Sequence, residues 1–136
     1  MELKDIQFID TFLQLEIAGR RFTVDVGEAS KIDACNELLR LCTDIESLKE
    51  AADFCLSVRE KLDDLLEPGT FDHIFGERKS NDLAIRQICS RIVMAFSVRR
   101  GEIIAEVFGD FRRDMEAGAE GIKARSTDGD APPSVQ

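Results

Sequence analysis

The stretch "LQLEIAGRRFTVDV", residues 13–26, decides how the rest of the chain is read. Leu13, Leu15 and Ile17 alternate with Gln14 and Glu16, and Phe22, Val24 and Val26 alternate with Thr23 and Asp25. A period of two places the apolar residues of each run on one side of a pleated strand. Ala18-Gly19 supplies a turn between the runs, so the segment predicts an antiparallel hairpin. A lone hairpin is marginal in water. It needs helices over its apolar face, or another chain's edge to pair with.

Beyond Gly27 the period becomes helical. Ser30 with Asp33 is an N-terminal signal, and Ile32, Cys35, Leu38, Leu39 and Cys42 share a face. Thr43 with Glu46 fits a capping box and predicts a helix to about Leu66. In that helix Leu48, Ala51, Cys55, Val58, Leu62 and Leu65 follow alternating steps of three and four, a seam for a neighbouring helix in this chain or another copy. Pro68 and Gly69 end it. "TFDHIF" (70–75) and Gly76 read as a corner, after which Ser80 or Asn81 starts a helix striped by Ile85, Ile88, Cys89, Ile92, Val93 and Phe96. Gly101 is expected to break or kink the chain ahead of a last helix carrying Ile103, Val107, Phe108, Phe111 and Met115. From Gly118 the residues are polar and aperiodic, which predicts a flexible tail. The expected fold is mainly α with a small N-terminal β-hairpin (α+β). It consists of a compact helical bundle over 1–117 and a polar tail over 118–136.

The totals suit one soluble domain: 136 residues, 43% hydrophobic and 33% charged, too apolar to be disordered throughout. The net charge of −9 is uneven. Residues 1–69 hold 16 acids against 8 bases, and residues 70–117 hold 8 of each. An acidic chain without a basic cluster argues against nucleic acid and against anionic membrane surfaces. It leaves room for head-to-tail self-association or a basic protein partner. The N-terminus "MELKDIQFIDTF" has no continuous apolar run, so neither a signal peptide nor a membrane span is expected. Cys35, Cys42, Cys55 and Cys89 lie in helical apolar runs without a C-x-x-C pair, and read as reduced, buried, small hydrophobes of a cytoplasmic protein.

Signs of catalysis are few. His73 is the only histidine, and the chain lacks G-x-S-x-G, G-x-x-x-x-G-K-[ST] and G-x-G-x-x-G. Cysteines 7, 13 and 34 residues apart match no zinc pattern, so no cofactor and no metal is expected. Interaction features are better represented. Met94 and Val98 lie opposite the stripe of their helix and could form a second packing surface. Arg99 and Arg100 read as a helix C-terminal cap, or as a dock for the acidic half of another copy.

The hairpin, the acidic helices and above all "TFDHIFGERKSNDLAIRQICSRIVMAF" resemble the small tail assembly chaperones of long-tailed phages and prophages of Gram-positive bacteria. Phe71, Asp72, Ile74, Phe75, Gly76 and Glu77 correspond to an aromatic-Asp-x-Ile-Phe-Gly-Glu corner found before the last long helix of such proteins. Arg78 and Lys79 depart from it, where a small-residue turn is expected. The resemblance covers about residues 10–110. It implies a non-enzymatic, cytoplasmic protein that coats the tape measure protein and brings tail tube subunits to it, and that can form homo-oligomers. On that reading Phe71, Ile74, Phe75, Met94, Val98, Arg99 and Arg100 are the candidate partner-binding residues. Two alternatives stand beside it. One is a small acidic regulatory or adaptor protein. The other is a helical subunit of a larger enzyme, which would place His73 in a deep pocket.

Overall fold

The computed structural model describes residues 7–44 and 50–125, with side chains described through Gly118. Strands β1 (Phe12–Ile17) and β2 (Arg20–Asp25) form the expected antiparallel hairpin. Leu13 faces Val24 and Leu15 faces Phe22. The turn holds Ala18 at φ 51° and Gly19 at φ 77°. Two positive φ values in a row make the primed turn, whose twist matches that of paired strands. Glycine enters this region freely, whereas alanine costs about 1 kcal/mol there. Phe22 and Val24 of β2 are buried while Leu13, Leu15 and Ile17 of β1 are half-buried, so β2 is the deeper strand.

Asp25 ties off the open end of the hairpin. Its Oδ1 accepts the Thr11 hydroxyl at 2.7 Å and the Gly27 N–H at 2.9 Å, and the Val26 N–H donates to the Thr11 carbonyl at 3.0 Å. A Cβ on Gly27 would stand 3.3 Å from that same oxygen and 3.4 Å from the Thr11 Cβ, which is why no larger residue fits without a shift.

Helix α1 (Ala29–Thr43) buries Ala34, Cys35, Leu38 and Leu41. Its apolar positions, from Leu41 round to Ile32, spread over an arc of about 180° at 100° per residue. The core takes one side of that arc and leaves Leu39 exposed at the rim, contrary to expectation. Two cap assignments are also corrected. The residue before α1 is Glu28, with Ser30 inside the helix and its hydroxyl donating to Glu28 Oε1 at 3.0 Å. Thr43 ends α1 instead of opening the next helix, because its hydroxyl donates to the Leu39 carbonyl one turn back at 2.8 Å. Helix α2 (Ala51–Leu65) starts seven residues later than the capping-box pattern indicates, and Glu46 and Leu48 lie outside the described residues. Its buried line is Phe54, Val58, Leu62 and Leu65, with Ala51 exposed and Cys55 half-buried. The larger Phe54 takes the place that step-counting assigned to Cys55.

The corner behaves as its residues suggest. Gly69 at φ 85° precedes α3 (Thr70–Phe75), and Gly76 at φ 49° leads into a 3-10 turn, Gly76–Arg78. The Asp63 carboxylate accepts the N–H groups of Gly69 (3.2 Å) and Phe71 (2.9 Å), which would otherwise be orphans at the start of α3. Asn81, and not Ser80, caps α4 (Asp82–Arg125) by accepting the Ala84 N–H at 3.1 Å.

Helix α4 corrects two further expectations. Its backbone is helical through Gly101 without a break, and it stays helical over 118–125, where the polar tail was expected to begin. Ala119, Glu120, Lys123, Ala124 and Arg125 are good helix formers, and together they tolerate the cost of Gly118 and Gly121. Low apolar content had hidden this propensity. The chain falls into two compact units, one ending at Arg100 and the other starting at Gly101. The first contains the hairpin, α1 to α3 and the opening stretch of α4, with Ile85, Cys89, Ile92, Val93 and Phe96 in its core.

Candidate functional site

Two apolar surfaces stand out, one on each unit. On the first unit a groove of about 680 Å³ runs between α1 and α4. Leu39, Leu83 and Met94 offer it apolar side chains, and Thr43, Gln87, Ser90 and Ser97 contribute its polar parts. Leu83 is 73% exposed and Met94 64%. Arg86 forms part of the wall. Its guanidinium carbon sits 3.9 Å over the Phe54 ring, and its Nη1 donates to the carbonyls of Cys42 (2.9 Å) and Leu41 (3.3 Å). One cation thereby closes the C-terminal end of α1 and covers an aromatic face. Sequence reasoning passed over Arg86. The available signal was an arginine directly beside Ile85 on the inward stripe, where a charge needs partners.

On the second unit α4 presents Ile104, Val107, Phe108, Phe111 and Met115 to solvent, between 40% and 63% exposed. Their spacing places them within an arc of about 100° on one side of the helix. The sequence placed this set, apart from Ile104, on a last helix together with Ile103; of those residues only Ile103 is buried. Glu102, Glu106, Asp110, Asp114 and Glu116 share the segment with Arg112 and Arg113, five acids against two bases. Arg113 is ion-paired with Asp110. The segment is an apolar stripe in an acidic setting.

The sequence-designated contact residues divide into three groups. Phe71 and Phe75 are 1% and 5% exposed and tilt against each other at 4.9 Å between ring centroids, so the core already occupies their surface. Ile74 is half-buried. Met94 and Val98 are exposed, Met94 within the groove. Arg99 and Arg100 do not cap a helix end, because α4 continues past them. They clamp the hairpin instead. Arg99 donates to the carbonyls of Phe12 (3.0 Å) and Asp10 (3.2 Å), and Arg100 donates to that of Val26 (2.9 Å). These interactions settle locally what holds the hairpin: its base is gripped by α4 of the same chain.

His73 is exposed, its ring edge-on to that of Phe22 with centroids 6.5 Å apart, so it lines no deep pocket. Among the described residues no three His, Cys, Asp or Glu side chains stand close enough to hold a metal ion, and no helix is long and apolar enough to cross a membrane. All four cysteines are free thiols. Cys35 and Cys89 are buried as expected, and burial pushes Cys35 up to about 11. Cys42 and Cys55 are only half-buried: Cys55 sits at the edge of the Phe54–Leu65 line, and Cys42 lies in the last turn of α1 against the groove. Comparisons with protein-family models, with curated proteins and with solved structures return no match to this chain.

Proposed function

We propose that this chain is a non-enzymatic chaperone of phage or prophage tail assembly. On this reading it binds the tape measure protein in the host cytoplasm and helps recruit tail tube subunits. The observation that supports the reading is the Ile104–Met115 stripe, five apolar side chains left in water on one side of a helix. Fully burying one such side chain is worth about 1.5–3 kcal/mol. A stripe of this size is a large attraction for an amphipathic helix laid alongside it. The acidic residues of the segment favour a client helix with basic flanks. The client is thus defined chemically as a long helical protein, insoluble alone, with an apolar seam edged by Lys and Arg.

The test is co-expression with the long helix-rich product of a neighbouring gene, followed by pull-down and light scattering. The expected result is a soluble complex holding many copies of this chain per client. Phe108→Asp with Phe111→Asp should abolish capture while far-ultraviolet circular dichroism stays unchanged. Equal capture by the folded double variant, or no capture by the natural chain, would overturn the proposal.

A further inference from the structure

The outer edge of β1 is open along only part of its length. The Val26 N–H donates to the Thr11 carbonyl, so Thr11 bonds inward to β2. Alternation along an antiparallel strand then turns the main-chain groups of Phe12, Gln14 and Glu16 outward. At Phe12 both groups are occupied: the N–H donates to Asp10 Oδ1 at 3.0 Å, and the carbonyl accepts Arg99 Nε at 3.0 Å. Arg99 also takes the Asp10 carbonyl at 3.2 Å. Among the described residues, Gln14 and Glu16 have no partner for their outward N–H and C=O groups.

The two strands differ in how far the helices cover them. Strand β2 is tied to the body of its own chain, with the Asp25 carbonyl accepting the Glu28 N–H at 3.3 Å and Arg20 ion-paired with Glu67. Its inward side chains Phe22 and Val24 are almost fully buried, whereas Leu13, Leu15 and Ile17 of β1 are all half-buried. Cover therefore stops short at the β1 flank. Edge strands that must stay single are guarded by Lys, Pro or a bulge. The β1 sequence FLQLEI holds neither residue, and its register with β2 runs without a bulge.

We propose that the open part of this edge is the interface for a second copy of the chain, β1 against β1, antiparallel about a two-fold axis at Leu15. In that register Leu15 faces Leu15 of the second copy, Leu13 faces Ile17, and Gln14 faces Glu16. Gln14 and Glu16 then exchange their outward main-chain bonds, and symmetry repeats the exchange on the other side of the axis. Every outward group that lacked a partner is satisfied, and none that Asp10 and Arg99 occupy is needed. Centring on Gln14 would require the occupied groups of Phe12, and centring on Glu16 would set two carboxylates face to face. The same edge thus complements itself in one register, which selects a second copy over an unrelated strand. It also brings apolar side chains to the uncovered flank of Leu13, Leu15 and Ile17. The pairing is isologous and closes on itself. Both outer edges of the joined sheet are β2, each tied to its own helices, so assembly stops at the dimer. One strand pair is a small interface, which sets the affinity between micromolar and millimolar.

The experiment uses the full natural chain. Sedimentation equilibrium from about 10 μM to about 1 mM should show the mass rising from that of one chain toward twice that value. A single-chain mass throughout would overturn the proposal. Over the same series, amide exchange at Gln14 and Glu16 should slow as the dimer forms, while Arg21 and Thr23 on the outer edge of β2 stay unchanged. Slowing at Arg21 and Thr23 instead would place the contact on the wrong strand and overturn it. Gln14→Lys sets an opposite charge against Glu16 in both halves and should tighten the dimer roughly threefold or more, and Gln14→Glu should weaken it by as much. The Gln14 side chain is exposed, so neither variant disturbs the core. Equal affinity of all three chains would overturn the register. Phe108→Asp with Phe111→Asp separates this edge from the client-binding stripe: dimerisation should persist in that variant. Its loss there would assign self-association to the stripe and overturn the proposal, while client capture by the natural chain is decided by its own test.

Discussion

Helix α4 carries two apolar stretches. Ile85, Cys89, Ile92, Val93 and Phe96 are all under a tenth exposed, enclosed with α1, α2, α3 and the hairpin in the first unit. Val107, Phe108, Phe111 and Met115 in the second unit each keep between 46% and 63% of their surface in water. Both stretches repeat at steps of three and four. Periodicity therefore determines which side of a helix is apolar, and it says nothing about whether the chain contains the surface that will cover it. The covered stretch contributes to the stability of the chain. The uncovered one leaves a comparable attraction unused within it.

The comparison can be broken most forcefully in the covered unit. Phe54→Ala removes a ring that is 1% exposed and takes away the seat of Arg86, so it should cost about 3–5 kcal/mol in urea denaturation. Circular dichroism is the natural readout, because the chain has neither Trp nor Tyr. A loss under 1 kcal/mol would mean that the first unit is not a packed core. Gly101→Ala addresses the boundary between the two stretches. A Cβ there meets nothing within 4 Å and the backbone is helical, so alanine should stabilise by about 0.5–1 kcal/mol. Destabilisation would show that the helix needs the break the sequence suggested. Phe111→Ala should alter stability by less than about 0.5 kcal/mol, as expected of an exposed side chain. A loss like that of Phe54 would erase the distinction between the two stretches.

The smallest effect is electrostatic and belongs to the outer face of α1. The Arg40 guanidinium, bonded to Glu37 at 2.9 Å, holds the Glu37 carboxyl below its ordinary value of 4.5. A depressed carboxylate contributes its stability above 4.5 and loses it as pH falls through the lower folded value. Glu37→Gln should therefore differ slightly from the natural chain at pH 7 and not at all at pH 2. Added salt should narrow the difference, since both side chains are exposed.

Much of this architecture was legible in the residues. Period-two alternation located the hairpin to within a residue at each end, and Pro68, Gly69 and Gly76 marked the corner. The failures share a physical cause. Thr43 and Glu46 have the composition of a helix start, but a threonine hydroxyl bonds equally well to a carbonyl one turn behind, and tertiary context chose the latter. Gly101 reads as a breaker because glycine is a weak helix former, yet about 1 kcal/mol is easily absorbed by a long helix. Of the contact residues, Met94 and Val98 were legible as a surface because they oppose the stripe. Arg99 and Arg100 were not, because their acceptors are backbone carbonyls some 74 to 89 positions away, which no local pattern records.

That separation has a consequence for the order in which the molecule is made. The hairpin is synthesised before the two arginines that grip its base, which follow their acceptors by 74 to 89 residues. On the ribosome the strands emerge with the carbonyls of Asp10, Phe12 and Val26 lacking these donors, and with the open edges of a two-stranded ribbon. Closing so long a loop is an entropically late step. The nascent chain therefore carries an undocked ribbon until Arg100 has cleared the exit tunnel, and any product truncated before that point lacks its latch.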